Sequence, residues 1–271
     1  MTLIYIILAT LAAGIGSVWV AAALSFGALA RYTQHMLSMA AGALLATAFM
    51  HLMPEAFESQ AGARALFATL LAGLIFFFLL DKAELWHHGH EHGGHGGHSH
   101  DHDGHSHSHP HTEEQIKTGS WAILTGDSVH CFGDGILIAS AFMADMRLGV
   151  VAALAVMAHE VPHHMGDLMV LNQGRSQGQG DKSRTALLKV SLAGAVTAVG
   201  GLVGYWLVDQ LQGYLPYFLV IASSSFIYVA LADLIPQLQK RLSFKQTLAQ
   251  IVWLAFGILL VAMVSSLAHA P

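Results

Sequence analysis

Long apolar stretches broken by short polar ones recur along the whole chain, and they limit its fold more than any other feature. A helix needs about twenty apolar residues to cross the hydrocarbon core, where only internally bonded backbone is tolerated. On that basis the sequence predicts spans at 3–28, 36–56, 64–84, 120–143, 148–171, 186–209, 215–238 and 247–268, the fourth and fifth carrying ionisable residues. Of the 271 residues 54% are hydrophobic and 11% charged, against about 25% charged in soluble domains. The expectation is an all-α integral membrane protein in which the bilayer, rather than a water-excluding core, is the main solvent. The first run has no Lys or Arg before Tyr5 and continues past Leu24, so it reads as a retained span rather than a cleaved signal. Cys131 is the single cysteine, which rules out an intramolecular disulfide, and the formal charge of -5 decides nothing about partners.

Eight spans put both termini on one side. Arg31, Lys82, Lys117, Arg175, Lys182, Arg184, Lys189, Lys240, Arg241 and Lys245 fall near alternate connections, and only Arg64 and Arg147 near the others. By the positive-inside rule the rich side is cytoplasmic. Both termini are then outside, in a plasma membrane (the inner one if bacterial), and the linker after the third span is inside. That linker, His87 to His111, holds 12 of the 19 histidines among Gly, Ser and Asp and offers no apolar anchor. Disorder is expected. Neutral imidazoles at this density bind Zn, Cu and Ni, so the segment reads as a buffering or sensing loop within a single transport domain over 1–271.

A weak repeat also shows. Gly42 to Glu55 (GALLATAFMHLMPE) and Ser224 to Gln237 (SSFIYVALADLIPQ) share a polar residue, Leu, an apolar residue, Pro and an acid or amide, at an offset of 182. Spans two and seven thereby look like members of two repeats, and transporters commonly place their substrate between such repeats.

The chemistry lies in Gly126 to Gly135 (GDSVHCFGDG) and Ala158 to Asp167 (AHEVPHHMGD). With a helix advancing about 100° per residue, Asp127, His130 and Asp134 share one stripe. In the next span His159 and His163 are one turn apart, as are Glu160 and His164, so imidazoles and carboxylate crowd one face. Two such faces turned together make an N/O cage suited to zinc and its first-row neighbours rather than to calcium or magnesium. Polar side chains also hold spans together, but so many ionisable groups in two adjacent spans exceed what that role needs. Pro162 removes a backbone hydrogen bond and is expected to loosen the turn before it, near Ala158. His51 and Asp233 are equally readable as path-lining or as satisfied interior groups; His35 and His269 sit near span ends and read as interfacial.

At these residues the chain resembles the ZIP family of metal transporters, whose fourth span carries an HNxxDG-like signature and whose fifth carries HExPHExGD. Here they stand as His130-Cys131-Phe132-Gly133-Asp134-Gly135 and His159-Glu160-Val161-Pro162-His163-His164-Met165-Gly166-Asp167. The resemblance implies a ZIP-type bundle of eight spans, two three-span repeats around spans four and five, and a binuclear mid-membrane metal site. His130, Asp134, His159, Glu160 and His163 match its ligand positions, with Glu160 placed to bridge. Cys131 replaces the usual Asn, and a thiolate is a softer and stronger zinc ligand than an amide oxygen. His164 replaces the second Glu, and the sixth span, Ala186 to Leu207, supplies no carboxylate, which leaves the second metal position open.

The function implied is transport of a divalent metal, Zn2+ first and Cd2+, Fe2+ or Mn2+ after it, inward to the cytoplasm. No prosthetic group, enzymatic activity or nucleic-acid partner is implied; the partners are the ion and the bilayer, with a homodimer left open. Two rivals differ in kind. An intramembrane zinc protease would use the HExxH pentad but needs a third ligand and an open water position, and no later LDG-type motif supplies one. A cation-diffusion-facilitator exporter shares histidine-rich loops but has six spans and a soluble carboxy-terminal domain. If the ligands of spans four and five suffice for translocation, deleting Gly89 to His109 will preserve uptake in proteoliposomes and remove only the loop's own metal binding. Complete loss of uptake by a well-expressed deletion would place the loop in the path.

Overall fold

The computed structural model describes residues 1–25, 33–89, 113–173, 179–239 and 243–268, and among these every regular element is a helix. In chain order they are α1 (2–25), α2 (33–57), α3 (Ala63–Gly89), α4 (Glu113–Ala144), α5 (Met146–Gln173), α6 (Gln179–Gln210), α7 (212–238) and α8 (Phe244–Ala268). Six contain a segment long and apolar enough to cross a membrane: Thr2–Leu24, Thr33–Phe57, Ala63–Lys82, Arg184–Gln210, Gln212–Leu238 and Phe244–Val264. The remaining two, α4 and α5, are 32 and 28 residues long and carry the ionisable stretches. Apart from the helical end of α3, the histidine-rich segment lies outside the described residues, as does His269.

The packing follows from what each helix must hide. Helices α4 and α5 lie side by side; α4 runs along α6 over much of its length, α5 packs on α1 and α2, and α1 also packs on α6. On the periphery α3 rests on α7 and α8 on α2. In the apolar windows 67% of α2 and 61% of α7 are buried but only 11% of α3 and of α8. The two outer helices accordingly turn Phe67, Leu71, Ile75 and Phe76, and Leu248, Ile251, Val252 and Phe256, outward. In water so large an apolar surface would be a liability; in a bilayer those side chains meet their own solvent.

Three helices contain one wide turn: Ala12–Gly16 in α1, Ala48–Leu52 in α2 and Val229–Leu234 in α7 are π-helical. The last two end directly before Met53-Pro54 and Ile235-Pro236. Proline lacks an N–H and presses on the carbonyl one turn back, and a widened turn accommodates both defects. The motifs that repeat at an offset of 182 in the sequence therefore also share a backbone irregularity. Pro162 differs, because α5 continues as an α-helix through it.

Close approach of α4 to α6 sets where the polar stripe of α4 points. A Cβ on Gly200 would overlap the Phe132 carbonyl, and one on Gly135 the Thr197 carbonyl. Gly133, on the same helix, has open space where a Cβ would stand. Gly200→Val should therefore lower the melting temperature in detergent, overpacking costing about 1–3 kcal/mol. Gly133→Ala should hold or raise it, since alanine is the better helix former by about 1 kcal/mol. Equal melting of the two variants would contradict the packing described.

Candidate metal centre

The two polar stripes meet between α4 and α5, and the cluster sits deep: Asp127, Asp134, His159, Glu160 and His164 are at most 3% exposed. Cys131 is fully buried, whereas the His130 and His163 side chains keep 30% and 38% of their surface. The helices run antiparallel as sequence neighbours joined at Asp145. One turn forward on α4 is consequently one turn backward on α5, and each ligand of one helix finds a partner on the other.

Three groups of ligand atoms result. In the first, His130, Asp134, His159 and Glu160 bring ligand atoms within 4.8 Å of one another. The two Nε2 atoms are 3.3 Å apart, and Glu160 Oε1 is 3.3 Å from each of them. Asp134 Oδ2 is 3.2 Å from His159 and 3.8 Å from His130. Zinc binds imidazole nitrogen at about 2.0–2.1 Å, so tetrahedral ligand atoms stand about 3.3 Å apart. Four of the contacts in this group, at 3.2–3.3 Å, have that length, and the His130–Asp134 contact is longer at 3.8 Å.

The second group is Asp127, Cys131, Glu160 and His164. Cys131 Sγ lies 3.7 Å from Asp127 Oδ1 and 3.7 Å from Glu160 Oε2, while His164 Nε2 is 2.9 Å from Glu160 Oε2. The other nitrogen, His164 Nδ1, faces Asp127 Oδ1 at 3.9 Å. Since His164 directs its two nitrogens at different carboxylates, this shell is looser than the first. Glu160 belongs to both, Oε1 in one and Oε2 in the other. The third group joins Asp127, His163 and Asp167, with His163 Nε2 3.7 Å from each carboxylate.

Burial leaves these groups in need of compensating positive charge. Asp134 Oδ2, Glu160 Oε1, Asp127 Oδ2 and Asp167 Oδ2 are buried without a hydrogen bond, a condition that costs free energy unless charge compensates it. Imidazole compensates a carboxylate only when protonated, whereas a divalent ion neutralises two carboxylates and uses imidazole in its neutral form.

All eight residues picked from sequence, Asp127, His130, Cys131, Asp134, His159, Glu160, His163 and His164, fall in this cluster. His163 is not grouped with His130 and His159, although its ring centroid is 5.7 Å from that of His130. Asp167 was not singled out, and its signal was the i, i+4 spacing from His163. Elsewhere, His51 Nδ1 donates to Ala46 O at 3.4 Å in the matching tautomer, and Asp233 accepts from Gln237 at 2.9 Å. Neither belongs to a ligand group. His35 stacks on Trp253 with centroids 5.8 Å apart.

Comparison with known proteins points the same way. The family model described as ZIP zinc transporter matches residues 1–265. Human zinc transporter ZIP4 is 29% identical over 258 residues, covering 76% of this chain and 39% of that protein. The Drosophila melanogaster zinc transporter ZIP13 homolog is 27% identical over 156 residues (57% and 43%), and human zinc transporter ZIP10 is 30% identical over 153 (56% and 17%). The chain thus spans less than half the length of each of these relatives.

If the groups hold metal, Zn2+ will stabilise the folded bundle by mass action, about 2.7 kcal/mol at a hundredfold excess over Kd. Glu160→Gln, which takes a shared carboxylate out of both tetrads, should erase most of the Zn2+-dependent rise in melting temperature. An undiminished rise would mean that the stabilising ion binds elsewhere.

Proposed function

The chain belongs to the ZIP zinc transporter family, and from that membership we propose that it carries Zn2+ across the membrane, into the cytoplasm, through the centre between α4 and α5. The observation that carries this reading is the first ligand group. Four N and O atoms lie within 4.8 Å of one another, most of their contacts near the spacing of zinc ligands, inside a bundle whose outer face suits lipid. A permanently closed structural shell would be expected to exclude solvent altogether. Here His130 and His163 retain exposed surface on the flank of the buried groups, which suits an ion that must arrive and leave.

Eight spans, counting α4 and α5, with both termini outside are the topology in this reading. Two inverted three-helix repeats, α1–α3 and α6–α8, surround the central pair. Exchanging α1 with α6, α2 with α7, α3 with α8 and α4 with α5 maps the main packing pairs onto each other: α4 on α6 becomes α5 on α1, and α3 on α7 becomes α8 on α2. The paired π turns before Pro54 and Pro236 support the same relation. Alternating access follows if the repeats rock against the central pair, opening the ligands first to one side and then to the other.

The protease alternative needs both histidines of the pentad on one ion and the glutamate off it, as base. Instead Glu160 Oε1 completes the group of His159, and His163 Nε2 turns to Asp127 and Asp167. His159→Ala and His163→Ala should each reduce Zn2+ uptake in proteoliposomes by about 100-fold or more, since even partners of metal ligands are worth 10–100-fold. Wild-type protein should transport without cleaving peptide; cleavage by wild type and not by Glu160→Gln would favour the protease. Cys131→Asn, which restores the family's usual residue, should shift the uptake ratio away from Cd2+ toward Zn2+ because a soft thiolate is lost. An unchanged ratio would remove Cys131 from the transport path.

A further inference from the structure

We propose that Asp127, His163 and Asp167 form an inner cation site, into which an ion leaving the central groups passes by way of the shared carboxylate of Asp127. This rests on the transport reading above. Along α4, Asp127 precedes Cys131 by one turn and Asp134 by two; along α5, His163 and Asp167 follow His159 by one turn and two. Because the helices are antiparallel, both progressions lead to the same end of the bundle, about 8 Å from the middle of the first group at 1.5 Å per residue. It is the end at which the histidine-rich segment joins α4.

The ligand atoms of the three residues lie within 4.8 Å of one another. Asp127 is 3% exposed, and neither its Oδ2 nor Asp167 Oδ2 has a hydrogen bond. Two carboxylates share the one Nε2 of His163, each at 3.7 Å. A protonated imidazole offsets one of those negative charges, while a divalent cation offsets both. His164 ties the site to the centre: fully buried, it sets Nδ1 3.7 Å from Asp167 Oδ2 and Nε2 2.9 Å from Glu160 Oε2.

Three protein ligands, one of them exposed, leave coordination positions for water. Such a site binds less tightly than a closed four-ligand shell, and conduction requires a last station that lets go. Asp127 contributes to both the second group and this one. The ion therefore exchanges ligands stepwise and is never stripped of all of them in an apolar surround, where a bare charge is most costly.

Asp167 is the diagnostic residue, because it belongs to neither central group. In the full-length Asp167→Cys variant, maleimide labelling reports the new thiol against the background of the buried native Cys131, measured in parallel on wild type. Zn2+ should block that labelling, and it should still do so when Glu160→Gln disables the central groups. Adding His163→Ala should raise the half-protecting Zn2+ concentration about tenfold or more. In proteoliposomes Asp167→Asn should slow Zn2+ uptake while Asp167→Glu, which keeps the carboxylate and controls for folding, largely retains it. Labelling indifferent to Zn2+, protection that vanishes with Glu160→Gln, or wild-type uptake by Asp167→Asn would each overturn the inner site. Failure of the transport reading would show separately, as undiminished uptake by Glu160→Gln.

Discussion

Several carboxylates and imidazoles buried together among apolar helices are the constraint on which the rest of this structure depends. In such surroundings an uncompensated charge costs more than any single packing contact returns. The groups must therefore be held within reach of compensating charge and of each other. Antiparallel α4 and α5 meet that demand, because their stripes interleave and place Glu160 between two ligand sets.

Holding the stripes in place requires a close fit around them. Glycine lets α6 approach α4 at Gly200 and Gly135, and Gly257 on α8 likewise meets the Met39 carbonyl on α2. Lipid does not drive helices together as water does, so close van der Waals packing between small residues takes over the part that hydrophobic burial plays in soluble folds. The burial pattern shows the consequence. Helices α2 and α7 are mostly enclosed and α3 and α8 mostly open, an arrangement that would fail in water and suits a bilayer. The π turns in α2 and α7 add a local irregularity at the two places where prolines would otherwise strain an α-helix.

The three groups differ in donor type and number along the polar track. A tetrad of imidazole and carboxylate donors comes first, then a set with a thiol and a histidine that faces two carboxylates, then a triad. Sharing Glu160 and then Asp127 makes these steps continuous. For a transported ion a series of shared sites would be more useful than one very tight site, since release is as necessary as capture.

Much of this was legible in the sequence, for reasons that are local. Apolar run length fixes a membrane helix because the bilayer has one thickness, and it placed the segments now seen as α1 to α3 and α6 to α8. The i, i+3, i+4 and i+7 spacings put Asp127, His130 and Asp134 on one stripe and His159, Glu160, His163 and His164 on another, since a single helix determines its own faces. The offset of 182 between the two Leu-x-Pro motifs was visible, but not the π turns ahead of them, which arise from how each chain accommodates proline within its packing. What only the tertiary structure decided is the pairing across helices: His159 with Asp134, Cys131 with Glu160, and His163 with Asp127 rather than with His130. Those choices depend on the rotation and depth of α4 against α5. Contacts with α1, α2, α6 and α7 set both, and no periodicity within either helix contains them.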